Sequence, residues 1–134
     1  MFKDQFTELY QRVTELLQSS SIPCNLFKPS LFKQEPGVVA FFDLQDRCLL
    51  ITSTGNVRRK AYINEYQGDA STSRLKRRLI EDNDMMDITS FAEAKDWLRD
   101  NVYCKVSYTS SIEECSRLEG GLAFLLEPLY VAYK

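Results

Sequence analysis

A chain of 134 residues with four cysteines, no histidine and a net charge of −2 fits one globular domain, and folding should bury roughly two-thirds of its unfolded surface. Without histidine there is no Ser-His-Asp or Cys-His nucleophile, no imidazole base and no histidine-ligated metal. The acidic balance excludes a protein that wraps nucleic acid with its whole surface, though not one with a local basic patch.

In chain order, Phe2, Phe6, Leu9, Val13, Leu16 and Leu17 recur at three- and four-residue steps and predict an amphipathic helix ending before Ser19–Ser21. Lys3, Asp4, Glu8, Arg12 and Glu15 interrupt that stretch, so no secretory leader is expected. No segment has the roughly 18 apolar residues of a membrane span. Cys24, Cys48, Cys104 and Cys115 form no C-x-x-C pair, which predicts buried, reduced thiols and a cytoplasmic location. Ile22 to Pro36 carries three prolines and reads as an extended connector.

Val38–Phe42 and Cys48–Thr52 are apolar, β-prone runs separated by polar Asp43–Arg47, the pattern of a hairpin buried on both faces. Short helices are expected over Asn56–Tyr66 and Ser73–Glu81, the second with Leu75, Leu79 and Ile80 inward, followed by an acidic loop over Asp82–Asp87. Ser90-Phe91-Ala92-Glu93 is a capping box opening a helix to about Asp100 that buries Phe91, Trp97 and Leu98. Cys104, Val106 and Tyr108 alternate as a third strand. Ser111-Ile112-Glu113-Glu114 opens a last helix that must stop near Glu127, before Pro128. The expected fold is α/β (α+β): a small, three-stranded, mainly antiparallel sheet flanked by helices.

On a 100° wheel of the last helix, Ile112, Cys115, Leu122, Ala123 and Leu126 share an arc with Glu119 near its centre. A carboxylate in that position needs a cation, donors, a metal ion or a raised pKa, unless it sits at the core's edge and reaches water. Gly120 and Gly121 follow, each weakening a helix by roughly 1 kcal/mol relative to Ala, which close packing would explain.

The order of these features resembles the GIY-YIG nuclease domain. Pro36-Gly37-Val38-Val39 resembles that family's Pro-Gly-Val-Tyr, and Leu50-Ile51-Thr52 stands at its Tyr-Ile-Gly. Ser53-Thr54-Gly55-Asn56-Val57-Arg58-Arg59-Lys60 is similar to its small-polar run and basic turn. Leu118-Glu119, then Pro128 and Tyr130, resemble its Leu-Glu…Pro-x-Tyr-Asn ending. The likeness covers about Pro36 to Tyr133, which divides the chain into an N-terminal helix and connector over 1–35, outside it, and a GIY-YIG-like domain over 36–134. It also implies a water-activating tyrosine, a phosphate-binding arginine and a metal-binding glutamate, of which only Glu119 is present. The motif tyrosines are Val39 and Leu50, the motif glycine is Thr52, the arginine is Lys60 and the closing asparagine is Val131. Valine and leucine can neither give nor take a proton, and lysine lacks the bidentate fork. Tyr62 and Tyr66 are the candidate relocated phenols.

Arg58, Arg59, Lys60, Arg74, Lys76, Arg77 and Arg78 stand against Glu65 and Asp69 between Asn56 and Arg78, giving +5 there and −7 elsewhere. Such a segment suits phosphate contact, a solvated helix face or an acidic protein. Gly68–Ser73 lacks the P-loop pattern. The leading expectation is a catalytically inactive GIY-YIG-like module that binds DNA or a protein of a DNA-processing assembly. The alternatives are a divergent endonuclease using Glu119 with Mg²⁺ or Mn²⁺, and a purely protein-binding domain that docks or dimerises through the Phe2–Leu17 helix.

Overall fold

The computed structural model describes residues 2–69, 71–85 and 87–130; Val131, Tyr133 and the side chain of Phe2 lie outside the described residues. Helix α1 (Phe2–Gln18) ends where Ser19 donates both its N–H and its hydroxyl to the Leu16 carbonyl. The connector contains a two-residue strand β1 (Ile22–Pro23) and two 3-10 turns, Cys24–Leu26 and Pro29–Leu31. Then come β2 (Gly37–Asp43), β3 (Cys48–Thr54), a π-helix (Arg58–Tyr66), α2 (Arg74–Glu81), α3 (Phe91–Asn101), β4 (Val102–Tyr108) and α4 (Ile112–Leu126).

The sheet has four antiparallel strands in the order β1-β4-β2-β3, one more than the sequence predicts. The extra strand pairs Ile22 with Cys104 and Pro23 with Tyr103, at an edge where a residue without an N–H is tolerated. Two residues are too few to show any periodicity, which is why the sequence reads them as connector. The β2–β3 turn is held by Asp43, whose Oδ1 accepts from the N–H groups of Gln45 and Arg47, with Asp46 in the left-handed region at φ 63°. Beyond α4 the chain returns along β3: the N–H groups of Leu129 and Tyr130 donate to the carbonyls of Cys48 and Leu49. The otherwise open edge of β3 is thereby partly covered.

Both capping serines act as expected, Ser90 accepting from the Glu93 N–H and Ser111 from the Glu114 N–H. In α3 the buried residues are Ala94 and Leu98, while Trp97 is only partly buried against the core. All four cysteines are free and buried.

Every residue of β2 is buried, so side chains alternate into two separate apolar layers. Val39 and Phe41 join Leu50, Val57, Ala61, Leu75, Leu79 and Leu98 under the π-helix, α2 and α3. Val38, Ala40 and Phe42 join Ile51, Cys115, Leu118 and Leu122 of α4 and Val13 and Leu16 of α1. The phase expected for α4 is corrected here. Its buried stripe is Cys115, Leu118 and Leu122, and Ile112 is 64% exposed. The reason is α1, which packs on the opposite flank from Ile112: a Cβ at Gly121 would lie 3.0 Å from Leu9. Arg12 also reaches Glu114 at 2.7 Å, drawing the buried arc toward α1.

Gly37 opens β2 where a Cβ would stand 2.6 Å from the Ser107 carbonyl oxygen and 2.8 Å from Val57. Gly37→Ala should lower the unfolding free energy by about 1–3 kcal/mol, because backbone and a packed valine must both yield. Urea unfolding checks this; an unchanged midpoint would contradict the packing described.

Candidate functional site

Glu119 follows Leu118 on α4 and is half-buried at the margin of the α4 layer. Its Oε2 accepts from the Ser53 hydroxyl at 2.8 Å. Ser53 pairs with Val38 and follows Ile51 by two residues, so it points to the α1/α4 face of the sheet. Nearby, the Thr109 hydroxyl lies 2.8 Å from the Cys115 sulfur. Glu119 thus closes a polar seam at the end of the sheet, away from the centre of the apolar stripe.

The remaining positions assigned by the GIY-YIG resemblance lie elsewhere. Val39 and Leu50 are fully buried in the layer beneath the π-helix, α2 and α3, on the other face of the sheet from Glu119. Lys60 leaves the π-helix to meet Glu65, its Nζ 3.1 Å from a carboxylate oxygen of a side chain with no exposure. The contact is an ion pair without hydrogen-bond alignment. The other oxygen of Glu65 accepts from the Leu75 N–H and the Ser73 hydroxyl, so Glu65 ties the π-helix to the start of α2. Lys60 therefore serves this tie and is turned away from Glu119.

Neither candidate phenol faces Glu119. Tyr66 is buried against Phe27 with ring centroids 5.2 Å apart, and Tyr62 accepts from the Gln67 side chain. Burial pushes the Tyr66 phenol up, away from the range of a base that takes a proton from water. Among the described residues no group of three or more Cys, Asp or Glu side chains is gathered to hold a metal ion. A lone carboxylate would leave Mg²⁺ or Mn²⁺ relying on substrate phosphates for its other ligands. Glu119 would be the residue to hold such an ion, and with neither candidate phenol nor Lys60 facing it no chemical step is assigned to a metal.

The basic segment is also divided. Lys76 is 2% exposed and donates from Nζ to the Gly68 carbonyl at 2.7 Å. Arg58 donates to the Phe32 carbonyl, Arg78 lies 3.5 Å from Glu81, and half-buried Arg74 also has a partner within the chain. Arg59 and Arg77 are exposed. Of the seven expected phosphate contacts, Lys60 and Lys76 have their ammonium groups directed inward.

The sequence singles out the Phe2–Leu17 helix as a docking or dimerising surface; what it leaves out is that the exposed apolar face continues onto α4. Phe6 is 74% exposed, Tyr10 65% and Phe124 82%, and Leu125 is exposed as well. Phe6, Tyr10, Val13 and Leu17 step by four, three and four residues, forming a second apolar stripe beside Leu9, Val13 and Leu16. That doubled stripe was the available signal. Between the helices runs a groove of about 810 Å³ lined in part by Phe6, Leu9, Leu118, Gly120 and Gly121. Comparison of the chain with protein-family models, curated proteins and solved structures gives no match.

Two substitutions test this geometry. Lys60→Met leaves the Glu65 carboxylate buried without its cation and should cost roughly 3 kcal/mol, whereas Arg59→Ala should stay within about 0.5 kcal/mol. Urea unfolding of the two variants makes the comparison. For Lys76, burial pulls the ammonium down to about 8 from 10.5. The unfolded chain then holds the extra proton between those values, so this group's contribution to stability rises with pH across that window. The stability of the natural protein relative to Lys76→Met should therefore improve from pH 8 to 10.5, measured by urea unfolding at each pH.

Proposed function

We propose that this chain is a non-hydrolytic binding domain on a GIY-YIG-like scaffold, and that its partner is a protein held on the α1/α4 layer. The observation carrying this reading is the division made by β2. Apolar Val39 and Leu50 fill the motif-tyrosine positions on one face, and Glu119 sits with Ser53 on the other. A nuclease must hold base, metal ligand and phosphate donor around one scissile bond, and these residues supply no such common point.

Charge and exposure support protein over nucleic acid. Lys60 and Lys76 neutralise or cap elements inside the fold, which removes two of the seven positives from a phosphate-binding face. The large exposed aromatics lie instead on α1 and α4. Phe6 lines the groove, and exposed aromatics are residues that protein interfaces favour.

The test uses labelled nicked, flapped and branched DNA with Mn²⁺, followed by gel retardation of the same DNAs at low salt. Intact substrate and no retarded species are expected. Cleavage lost on Glu119→Ala would restore the endonuclease reading. Salt-sensitive retardation lost on Arg74→Ala and Arg77→Ala would move the function to nucleic-acid binding.

A further inference from the structure

The outer surface of α4 carries a stripe formed by Arg117, Gly120 and Phe124, spaced by three and four residues, with Glu127 just beyond the end of the helix. Gly121 has an internal reason to be glycine, since a Cβ there would press on Leu9. Gly120 has none: a Cβ at that position would meet nothing within 4 Å. Close packing within the chain therefore explains only one of the two helix-weakening glycines. Glu127 departs from local preference in the opposite direction. It caps α4 at φ 44°, a left-handed conformation that usually selects glycine, yet it carries a long charged side chain. Among the described residues Arg117 and Glu127 make no ion pair, and Phe124 is the most exposed large apolar side chain.

These four residues are complementary to themselves. If two α4 helices pair antiparallel about a two-fold axis at the height of Leu122, Gly120 of each copy faces Phe124 of the other. The same register places Arg117 of each copy opposite Glu127 of the other. Each phenyl ring then enters the space left by the missing Cβ, in the groove that Phe6 and Leu9 also line. Opposite charges close both ends of the contact. A two-fold interface must use one patch twice, and this stripe meets that requirement in both shape and charge.

We infer that the α1/α4 face binds a second copy of this chain, through antiparallel α4 pairing that seats Phe124 over the partner's Gly120 between Arg117–Glu127 pairs. This inference rests on the protein-binding reading and names its partner.

Sedimentation velocity and light scattering of the full chain, at micromolar to several hundred micromolar concentration, test it. The expected species has twice the 15.5 kDa chain mass. Phe124→Asp and Gly120→Leu should each yield monomer. Because leucine strengthens the helix while filling the gap, Gly120→Leu should keep or raise the thermal midpoint as it abolishes the dimer, separating loss of pairing from loss of folding. Arg117→Glu and Glu127→Arg should each weaken association roughly tenfold or more, and the double exchange should restore it. A natural chain that stays monomeric throughout, or a dimer indifferent to Phe124→Asp, would overturn self-pairing. A dimer lost on Phe124→Asp but not restored by the double charge exchange would overturn the antiparallel register. A monomeric result leaves the protein-binding reading standing, since that reading fails only on DNA cleavage or salt-sensitive DNA retention.

Discussion

All seven residues of β2 are withdrawn from water, so the strand must be paired along both edges and covered on both faces. That single requirement organises the molecule. On one face, the π-helix, α2 and α3 cover Val39 and Phe41; on the other, α1 and α4 cover Val38, Ala40 and Phe42. Alternation along a strand then becomes separation in space. Residues one apart in the sequence, such as Val38 and Val39, belong to separate buried layers on opposite faces of the sheet.

The resemblance to GIY-YIG domains is best weighed against that separation. Segments similar to its motifs follow one another in that order along the chain, but order alone does not place side chains around a common point. Val39 and Leu50 lie in a dry layer, where a phenol would need a hydrogen-bond partner that valine and leucine do not. Lys60 pairs with Glu65, and that pairing has a structural consequence. Glu65 binds the Ser73 hydroxyl and the Leu75 N–H, so the pair anchors the first turn of α2 to the π-helix. A cation that would face a phosphate in the resemblance instead stabilises a joint between two helices.

Local signals in the sequence were dependable where the physics is local. The hairpin showed in two β-prone runs around a polar turn, and both capping serines sit where a serine precedes a glutamate by three residues. Signals failed where a distant partner decides. The wheel of α4 contains no information about α1, yet Leu9 against Gly121 and Arg12 against Glu114 set which arc is buried. Lys76 reads as a surface cation because its burial depends on the Gly68 carbonyl, eight residues away and outside its helix. The apolar surplus on α1 was present in the spacing of Phe6, Tyr10 and Leu17. A helix wheel cannot divide such a broad stripe between the protein's own core and another surface.

Gly120 and Glu127 bring these points together: no neighbour within the chain requires the glycine, and Glu127 turns the chain off α4 in a left-handed conformation without being one. Sequences that fold well usually agree across levels, and departures concentrate where function imposes its own demand. Gly37 shows what an internally required glycine looks like here, with a backbone oxygen 2.6 Å from where its Cβ would stand, and Gly121 is close-packed against the Leu9 side chain. Gly120 faces open space beside an exposed Phe124, one helical turn away. A hole and a projection of matching kind on one stripe, flanked by opposite charges, need no other molecule to be complementary. The same four residues, turned about a two-fold axis, supply the other half.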